Sequence, residues 1–492
     1  MSESTPYIIQ QKVSRANSIA YQLSQEGWQR GVGGFFSDNI AFAFSTGKRF
    51  AKIIQSYSSL VATSGTSQFY NIYEYGAGIG VLSKNCLEAI QENDPELYTK
   101  LIYHITEYDN ELVQQFSTLP SLTRFKDSIR MQQLDCRSPL FKEGNAPNLV
   151  VMAYVLSALE VRHIGIKKGK IYEVKITTSL LKETELIDYS VIPPQIIKGK
   201  KLIDLIKGPA TAKKLSLLSQ IKSSLKETRE WVPLEKSGLP AEEIADIKQF
   251  VQAKELKTDG IFNYSLEVKE TLKEIFKNSS ALCSIMIYDV IVNEKGTENN
   301  TLFGQFNTSI FYTIYKEYIA YIVSEIGGTL YSSSYESGKS HLLVIDKGPP
   351  NKQIKNWMKK FEKTELGEET VHFQETIQGL SKDPELFNKE LKVLMSNIPI
   401  LEQDNYVLRL SLAKAYQERG LWEQATTQLH HALDTYSIAG LNAQVILSQV
   451  WRKKGVYNLS NLENYRDPKG KLALELGVIG LPFSVIISKE KR

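Results

Sequence analysis

The stretch that decides the fold is FYNIYEYGAGIGVLSKNCLEAI, Phe69 to Ile90. Its first seven residues, Phe69 to Tyr75, are mostly aromatic or aliphatic and read as a strand. Gly76, Gly78 and Gly80 then break the pattern, and VLSKNCLEAIQEN resumes at the period of an amphipathic helix. Strand, glycine turn and helix in immediate succession open a parallel α/β sheet. Downstream, LIYHIT (Leu101 to Thr106) reads as a strand, NELVQQF as a helix and NLVVMAY (Asn148 to Tyr154) as a buried strand. The alternation returns with the helix LEVKETLKEIFKN, the strand SIMIYDVIV (Ser284 to Val292), a long Tyr-rich helix SIFYTIYKEYIAYIVSEIGG and a last strand, SHLLVID (Ser340 to Asp346). Strands joined through helices imply right-handed crossovers.

Outside this frame the chain divides by composition. Residues 1–68 show mixed helical periodicity broken by GVGGFFSD, Gly31 to Asp38. Residues 69–346 form the sheet domain, with an insert over about 185–258 that reads as helical. Within the insert, Lys198 to Arg229 carry nine Lys or Arg against two acids, without aromatic platforms for stacking bases, so a solvated face is favoured over a nucleic-acid surface. GPPN and a Lys- and Glu-rich stretch mark a linker at 347–382, and residues 383–492 read as helices only.

In all there are 492 residues, and 59 basic against 55 acidic side chains leave a net charge of +4, so only a local patch could attract an anionic partner. No apolar run reaches the roughly 20 residues that span a bilayer. The first residues lack the apolar core of a secretory signal, which predicts a cytoplasmic protein. Cys86, Cys136 and Cys283 are odd in number and widely spaced, as free thiols are; the histidines form no zinc-binding pattern.

The glycine turn reads E-x-G-x-G-x-G from Glu74, with Val81 where a dinucleotide fingerprint wants its third glycine. An acid two residues before the first glycine would repel a pyrophosphate but suits the ammonium of an amino-acid moiety. Glu107 follows the next strand, 27 residues after Gly80, where a carboxylate can accept both ribose hydroxyls. Asp135, after a third apolar stretch, can accept from an adenine amino group or lie near it. Three acids at strand ends around a glycine turn meet the demands of S-adenosylmethionine as cofactor.

These blocks, with GGFFSDNIAFAFSTGKRFAKII before the turn and HITEYDNELVQQF, NLVVMAYVLSALEV, KGKIYEVKI and SIMIYDVIV after it, resemble the MidA family over roughly residues 25–346. That family comprises S-adenosylmethionine-dependent methyltransferases of class I, Rossmann-like α/β fold and includes the mitochondrial complex I assembly factor, a protein arginine methyltransferase. The resemblance implies that Glu74, Gly76, Gly78 and Gly80 hold the methionine end, that Glu107 holds the ribose and that the loop after GGFFSD covers the cofactor. Two segments depart from the family. After the fourth strand, where the family has N-E-x-x-D-A-L-P, this chain has Ala153 to Glu160; the covering loop keeps Phe44 and Thr46; both lack the usual acids.

A guanidinium or ammonium acceptor needs a carboxylate to orient it and take its proton. Glu160 is the nearest surviving candidate, and Tyr154 could wall the acceptor pocket; core packing or a surface position is the rival reading for each. Asp289 in IYDV is favoured as a loop support that accepts backbone N–H bonds.

Beyond the linker, Ala413, Tyr416, Gly420, Trp422, Ala425, Leu429, Ala432 and Leu433 have the spacing of a tetratricopeptide helix pair, with Ser437 for the usual terminal proline. More divergent helices are expected at Leu386 to Asn397 and Val445 to Gly455. The expected function is methyl transfer to a protein side chain such as arginine, with protein partners recruited through the tetratricopeptide-like tail, a homodimer open, and no nucleic acid. The alternative is an adaptor or assembly factor that keeps the cofactor fold without turnover.

Overall fold

The computed structural model describes residues 6–28, 70–188, 195–348, 376–396 and 406–435 and part of 351–358, apart from 79, 111–112, 115–116, 118–119, 140, 142–145, 294, 296–302, 307–308 and 334–340. The covering loop (Gly31 to Asp38 and Phe42 to Arg49), most of NELVQQF, Ser437 and the helix expected at Val445 to Gly455 lie outside the described residues.

Seven strands make the main sheet: β1 (Tyr70–Tyr75), β2 (Leu101–Glu107), β3 (Ile129–Gln133), β4 (Leu149–Ala153), β5 (Ser284–Asp289), β6 (Thr329–Ser332) and β7 (His341–Asp346). They lie in the order β6-β7-β5-β4-β1-β2-β3. The five strands from β5 to β3 are parallel, while β7 and β6 are added antiparallel at one edge. Every residue of β1, β5 and β7 is buried, as strands covered on both faces require.

Successive side chains feed two cores. Tyr70, Ile72, Val151, Met286 and Val344 pack with Leu82, Cys86 and Ile90 of helix α1 (Val81–Asn93). On the other face Tyr73, Tyr75, Val150, Met152 and Ile287 meet Leu272 and Ile275 of α2 (Leu266–Asn278) and Ile319 and Ile322 of α3 (Lys316–Ile326). Ser265 caps α2 by accepting from the Val268 N–H at 3.1 Å. Gly327, with φ 73°, ends α3 in the left-handed region.

A second, antiparallel sheet joins Tyr7–Val13, Arg162–Lys167, Lys170–Leu180, Leu225–Pro233 and Gly260–Tyr264. Its Ile164, Ile166, Phe262 and Tyr264 share the α2 and α3 core, which fixes it to the main sheet. Among the described residues no helix is long and apolar enough to cross a membrane, and the three cysteines are free and buried.

Four expectations are corrected here. The insert is not simply helical: helices Gly199–Lys207, Leu218–Ser224 and Ala241–Ala253 alternate with strands Glu185–Asp188, Gln195–Lys198 and Leu225–Pro233. The charges of LKETREWVP disguise a strand that pairs with Lys170–Leu180 over nine registered positions. Nor is the N-terminal segment only helical, since Tyr7–Val13 pairs along the same long strand. The Tyr-rich helix begins only at Lys316, because Ser309–Tyr312 and Ile314–Tyr315 are extended. Within the linker, Ile354 and Met358 are buried in the α1 core, so that stretch belongs partly to the sheet domain.

Farther on, helices Pro384–Ser396, Tyr406–Glu418 and Trp422–Thr435 are described, with a core of Phe387, Leu391, Leu408 and Leu412. Ala413, Ala425 and Leu429 are fully buried, and Gly420 turns the chain at φ 72°.

Candidate functional site

In this strand order β1 leads outward to β2 and β3, and the chain then returns to place β4 on the other side of β1. Such a switch leaves a crevice at the C-terminal ends of β1 and β4, where open α/β sheets bind ligands. The glycine turn leaves β1 at this point. Gly76, Gly78 and Gly80 have φ of 63°, 58° and 73°, a region costly for side chains with a Cβ. Space is short as well: a Cβ on Gly76 would lie 2.7 Å from Val155 Cγ2, and one on Gly80 2.7 Å from Leu122 Cδ1.

Glu107, at the end of β2, is drawn onto this turn. Its Oε2 accepts from the Gly78 N–H at 2.9 Å and its Oε1 from the Tyr108 N–H at 2.8 Å. Burial raises its pKa, and the bonds from Gly78, Tyr108 and Asp109 offset part of the rise. A carboxylate offers about four acceptor sites, so capacity remains for hydroxyl donors. Tyr108, next in the chain, is 61% exposed.

Glu74 lies beneath the turn. It is buried, and its Oε2 accepts from Ser83 Oγ of α1 at 2.5 Å and from the Tyr103 hydroxyl of β2 at 2.9 Å. Thr106 Oγ1 adds a bond to the Glu74 carbonyl at 2.8 Å. Burial pushes this carboxyl up to about 7; the Ser83 and Tyr103 bonds pull it down, and Glu107 pushes it up further. In this geometry Glu74 ties β1, β2 and α1 together under the loop.

Asp135 is held differently from Glu74 and Glu107. Arg137 grips it from Nε at 2.9 Å and from Nη2 at 2.7 Å, and also reaches Glu267 at 3.3 Å while stacking over the Tyr108 ring at 5.0 Å. Burial pushes Asp135 up, but the Arg137 bonds outweigh it and its pKa is lowered. An adenine amino group would therefore share this carboxylate with a guanidinium.

Across the crevice, Tyr154 follows β4 with φ 58°, although it is not glycine, and its ring meets Tyr288 edge-on at 5.6 Å. Strain of this kind costs about 1–3 kcal/mol and persists where surrounding structure enforces it. The enforcing contacts include the Tyr154 N–H on the Tyr288 carbonyl at 2.9 Å and Asp289, which accepts from the Ser157 N–H at 3.1 Å and the Val290 N–H at 2.8 Å. Asp289 thus has the backbone-holding geometry favoured from the sequence; burial pushes it up to about 6, against those bonds.

Glu160 closes the same loop. Its side chain is 43% exposed and pairs with Arg162 at 3.1 Å, while its N–H donates to Glu267 at 2.6 Å. Burial raises its pKa; Arg162 lowers it, and Glu267 and Glu243 raise it again. Arg162 also bridges to Glu243 at 3.1 Å. The sequence reading missed this ladder of Asp135, Arg137, Glu267, Glu160, Arg162 and Glu243, because its members come from separate segments and share no motif.

Residues 52–281 match the family described as "Putative S-adenosyl-L-methionine-dependent methyltransferase". No curated protein matches the chain. Among solved structures, an uncharacterized superfamily protein from Burkholderia thailandensis is 12% identical with a TM-score of 0.43, covering 69% of this chain and 88% of its own. A superfamily member from the same organism, bound to S-adenosyl-homocysteine, is 13% identical with a TM-score of 0.43 over 69% and 89%. Human N-acetylserotonin methyltransferase in complex with S-adenosylmethionine is 11% identical with a TM-score of 0.29 over 68% and 57%. Over residues 52–281, somewhat less than half of its length, the chain is similar to the MidA-like family of S-adenosylmethionine-dependent methyltransferases.

Proposed function

We propose that the chain transfers a methyl group from S-adenosylmethionine to a protein side chain such as arginine, with the crevice between β1 and β4 as its active site. The observation that carries this reading is the Glu107 carboxylate bonded to the Gly78 N–H, which joins a ribose acceptor to a glycine cradle at the switch point. In this reading Gly76, Gly78 and Gly80 lie along the methionine end, whereas Glu74, expected to hold that end as well, is buried with its Oε2 on Ser83 and Tyr103 and fixes the loop from below. Glu107 accepts the ribose hydroxyls, Tyr108 offers a face to the adenine, and Asp135 lies near the amino group. When bound, the cofactor supplies an electrophilic methyl on a sulfonium sulfur.

Methyl transfer needs alignment more than covalent help from the protein, and a crevice fixed by packed strands supplies it. Tyr154, half exposed at the end of β4, would wall the acceptor side. Glu160 would orient a guanidinium and accept its proton, at the cost of its present pair with Arg162. Arg137 and Arg162 already sit among carboxylates here, which supports a surface suited to guanidinium groups. Incubation with radiolabelled S-adenosylmethionine and lysate tests the assignment. Label in protein supports it, label only in small molecules redirects it, and tight cofactor binding without turnover supports the adaptor alternative.

Glu107→Ala is expected to weaken S-adenosylmethionine binding by about 1.5–3 kcal/mol, roughly tenfold to a hundredfold, as loss of a charged acceptor does. Unchanged calorimetric affinity would remove Glu107 from the site. The helical tail is proposed to be tetratricopeptide-like and to recruit the protein substrate; full burial of Ala413 and Ala425 supports a close helix pair. Deleting residues 383–492 should leave cofactor affinity within about twofold and abolish partner capture, measured by calorimetry and pull-down.

A further inference from the structure

The insert carries a surface that the methyltransferase reading does not use. Strands Glu185–Asp188 and Gln195–Lys198 form a two-stranded ribbon. Leu186 and Ile197 on its inner face join a core with Ile9, Leu202, Ile206 and Leu218. Ile187 and Ile196 are register partners on the outer face, 38% and 59% exposed. One exposed isoleucine is ordinary; two side by side on a ribbon are a patch.

Its surroundings are cationic. Helix Gly199–Lys207 follows the ribbon without a break, sinks Leu202 and Ile206 into the core and leaves Lys200, Lys201 and Lys207 exposed. Lys182 leads into the ribbon from the ring of the partly exposed Tyr7, 5.7 Å away. Over the described residues from 181 to 213, six lysines are exposed (182, 198, 200, 201, 207 and 213) against three exposed acids, Glu183, Glu185 and Asp204. Part of the basic excess seen in the sequence turns inward instead: Lys214 and Lys222 are buried, and Lys214 binds Glu26 at 2.8 Å.

We propose that this ribbon and helix are an interfacial anchor for an anionic lipid surface. Apolar side chains on a ribbon flanked by lysines match a bilayer boundary, where the isoleucines enter the acyl edge and the ammonium groups meet lipid phosphates. A second copy of the chain is a poorer occupant, because apposed ribbons would bring Lys198, Lys200 and Lys201 of each copy together. Nucleic acid fits less well, since two aliphatic side chains offer no stacking platform.

Co-sedimentation of the full chain with phosphatidylcholine vesicles, with and without about one-third phosphatidylglycerol, tests this. Binding to the anionic vesicles alone, weakened by salt, is expected. Ile187→Ser with Ile196→Ser should reduce it at least about tenfold. Lys200→Glu with Lys201→Glu should reduce it by more than about twenty-fivefold, as each lysine near such a surface is worth about fivefold. Far-ultraviolet circular dichroism and unfolding temperature confirm that these exposed substitutions leave the fold intact. Equal binding to neutral vesicles, unaltered binding of both variants or no binding at all would overturn the proposal. So would a mass that doubles on analytical ultracentrifugation and reverts in the isoleucine variant, which would assign the patch to a second copy.

Discussion

Gly78→Arg should lose about a thousandfold in affinity for S-adenosylmethionine. Three effects add. Gly78 has φ 58°, where a side chain costs about 1–2 kcal/mol. Its N–H holds Glu107 Oε2 at 2.9 Å, so an arginine grafted here places a guanidinium within reach of the carboxylate assigned to the ribose. Capturing that carboxylate removes a charged acceptor worth about 1.5–3 kcal/mol. The new side chain also fills volume above the loop. The first two sum to about 2.5–5 kcal/mol, a range that spans the ~4 kcal/mol of a thousandfold loss, and the filled volume adds to it. Gly78→Ala isolates the first effect and should cost about tenfold. Titration calorimetry checks both, with circular dichroism as a control for folding. Arginine-variant binding within threefold of the parent would refute a cofactor over this turn.

How much of this was readable in the residue order depended on range. The Val81–Asn93 and Leu266–Asn278 helices match the sequence reading end to end, because each has an unbroken apolar stripe set by local spacing. The strands β1, β2, β4, β5 and β7 are legible for a related reason: burial on both faces demands continuous apolar runs. Leu225–Pro233 was hidden because its order comes from nine pairings with Lys170–Leu180, not from its own residues. Tertiary pairing overrides local propensity most easily on such half-exposed strands.

The site divides along the same line. Glu74, Gly76, Gly78 and Glu107 are within or just beyond strands whose register is fixed, so spacing alone brings them to one crest. The reach of Arg137 to Glu267 and that of Arg162 to Glu243 are contacts across segments, and a single sequence carries no trace of them. The left-handed backbone of Tyr154 is likewise invisible in its residue type, since tyrosine gives no reason to expect φ 58°.

Glu74→Gln should stabilise the protein by an amount that grows from about pH 4.5 and is complete above about 7. Burial raises the folded carboxyl to about 7 from an unfolded value of 4.5. Below pH 4.5 both states carry the proton and the group contributes no pH-dependent term. Between 4.5 and 7 the unfolded chain ionises while the folded one keeps its proton, so stability falls as pH rises. Above 7 both are ionised and the full cost stands, about 3 kcal/mol. Glutamine keeps an acceptor for Ser83 and Tyr103 without that charge, so its unfolding temperature should exceed the parent's by several degrees at pH 8 and match it near pH 4.5. Asp289, raised to about 6, gives both proteins the same decline and drops out of the difference. A gap that does not change with pH would mean that the Glu74 carboxyl titrates normally. The tie among β1, β2 and α1 would then act through geometry alone, without a buried charge under the glycine loop.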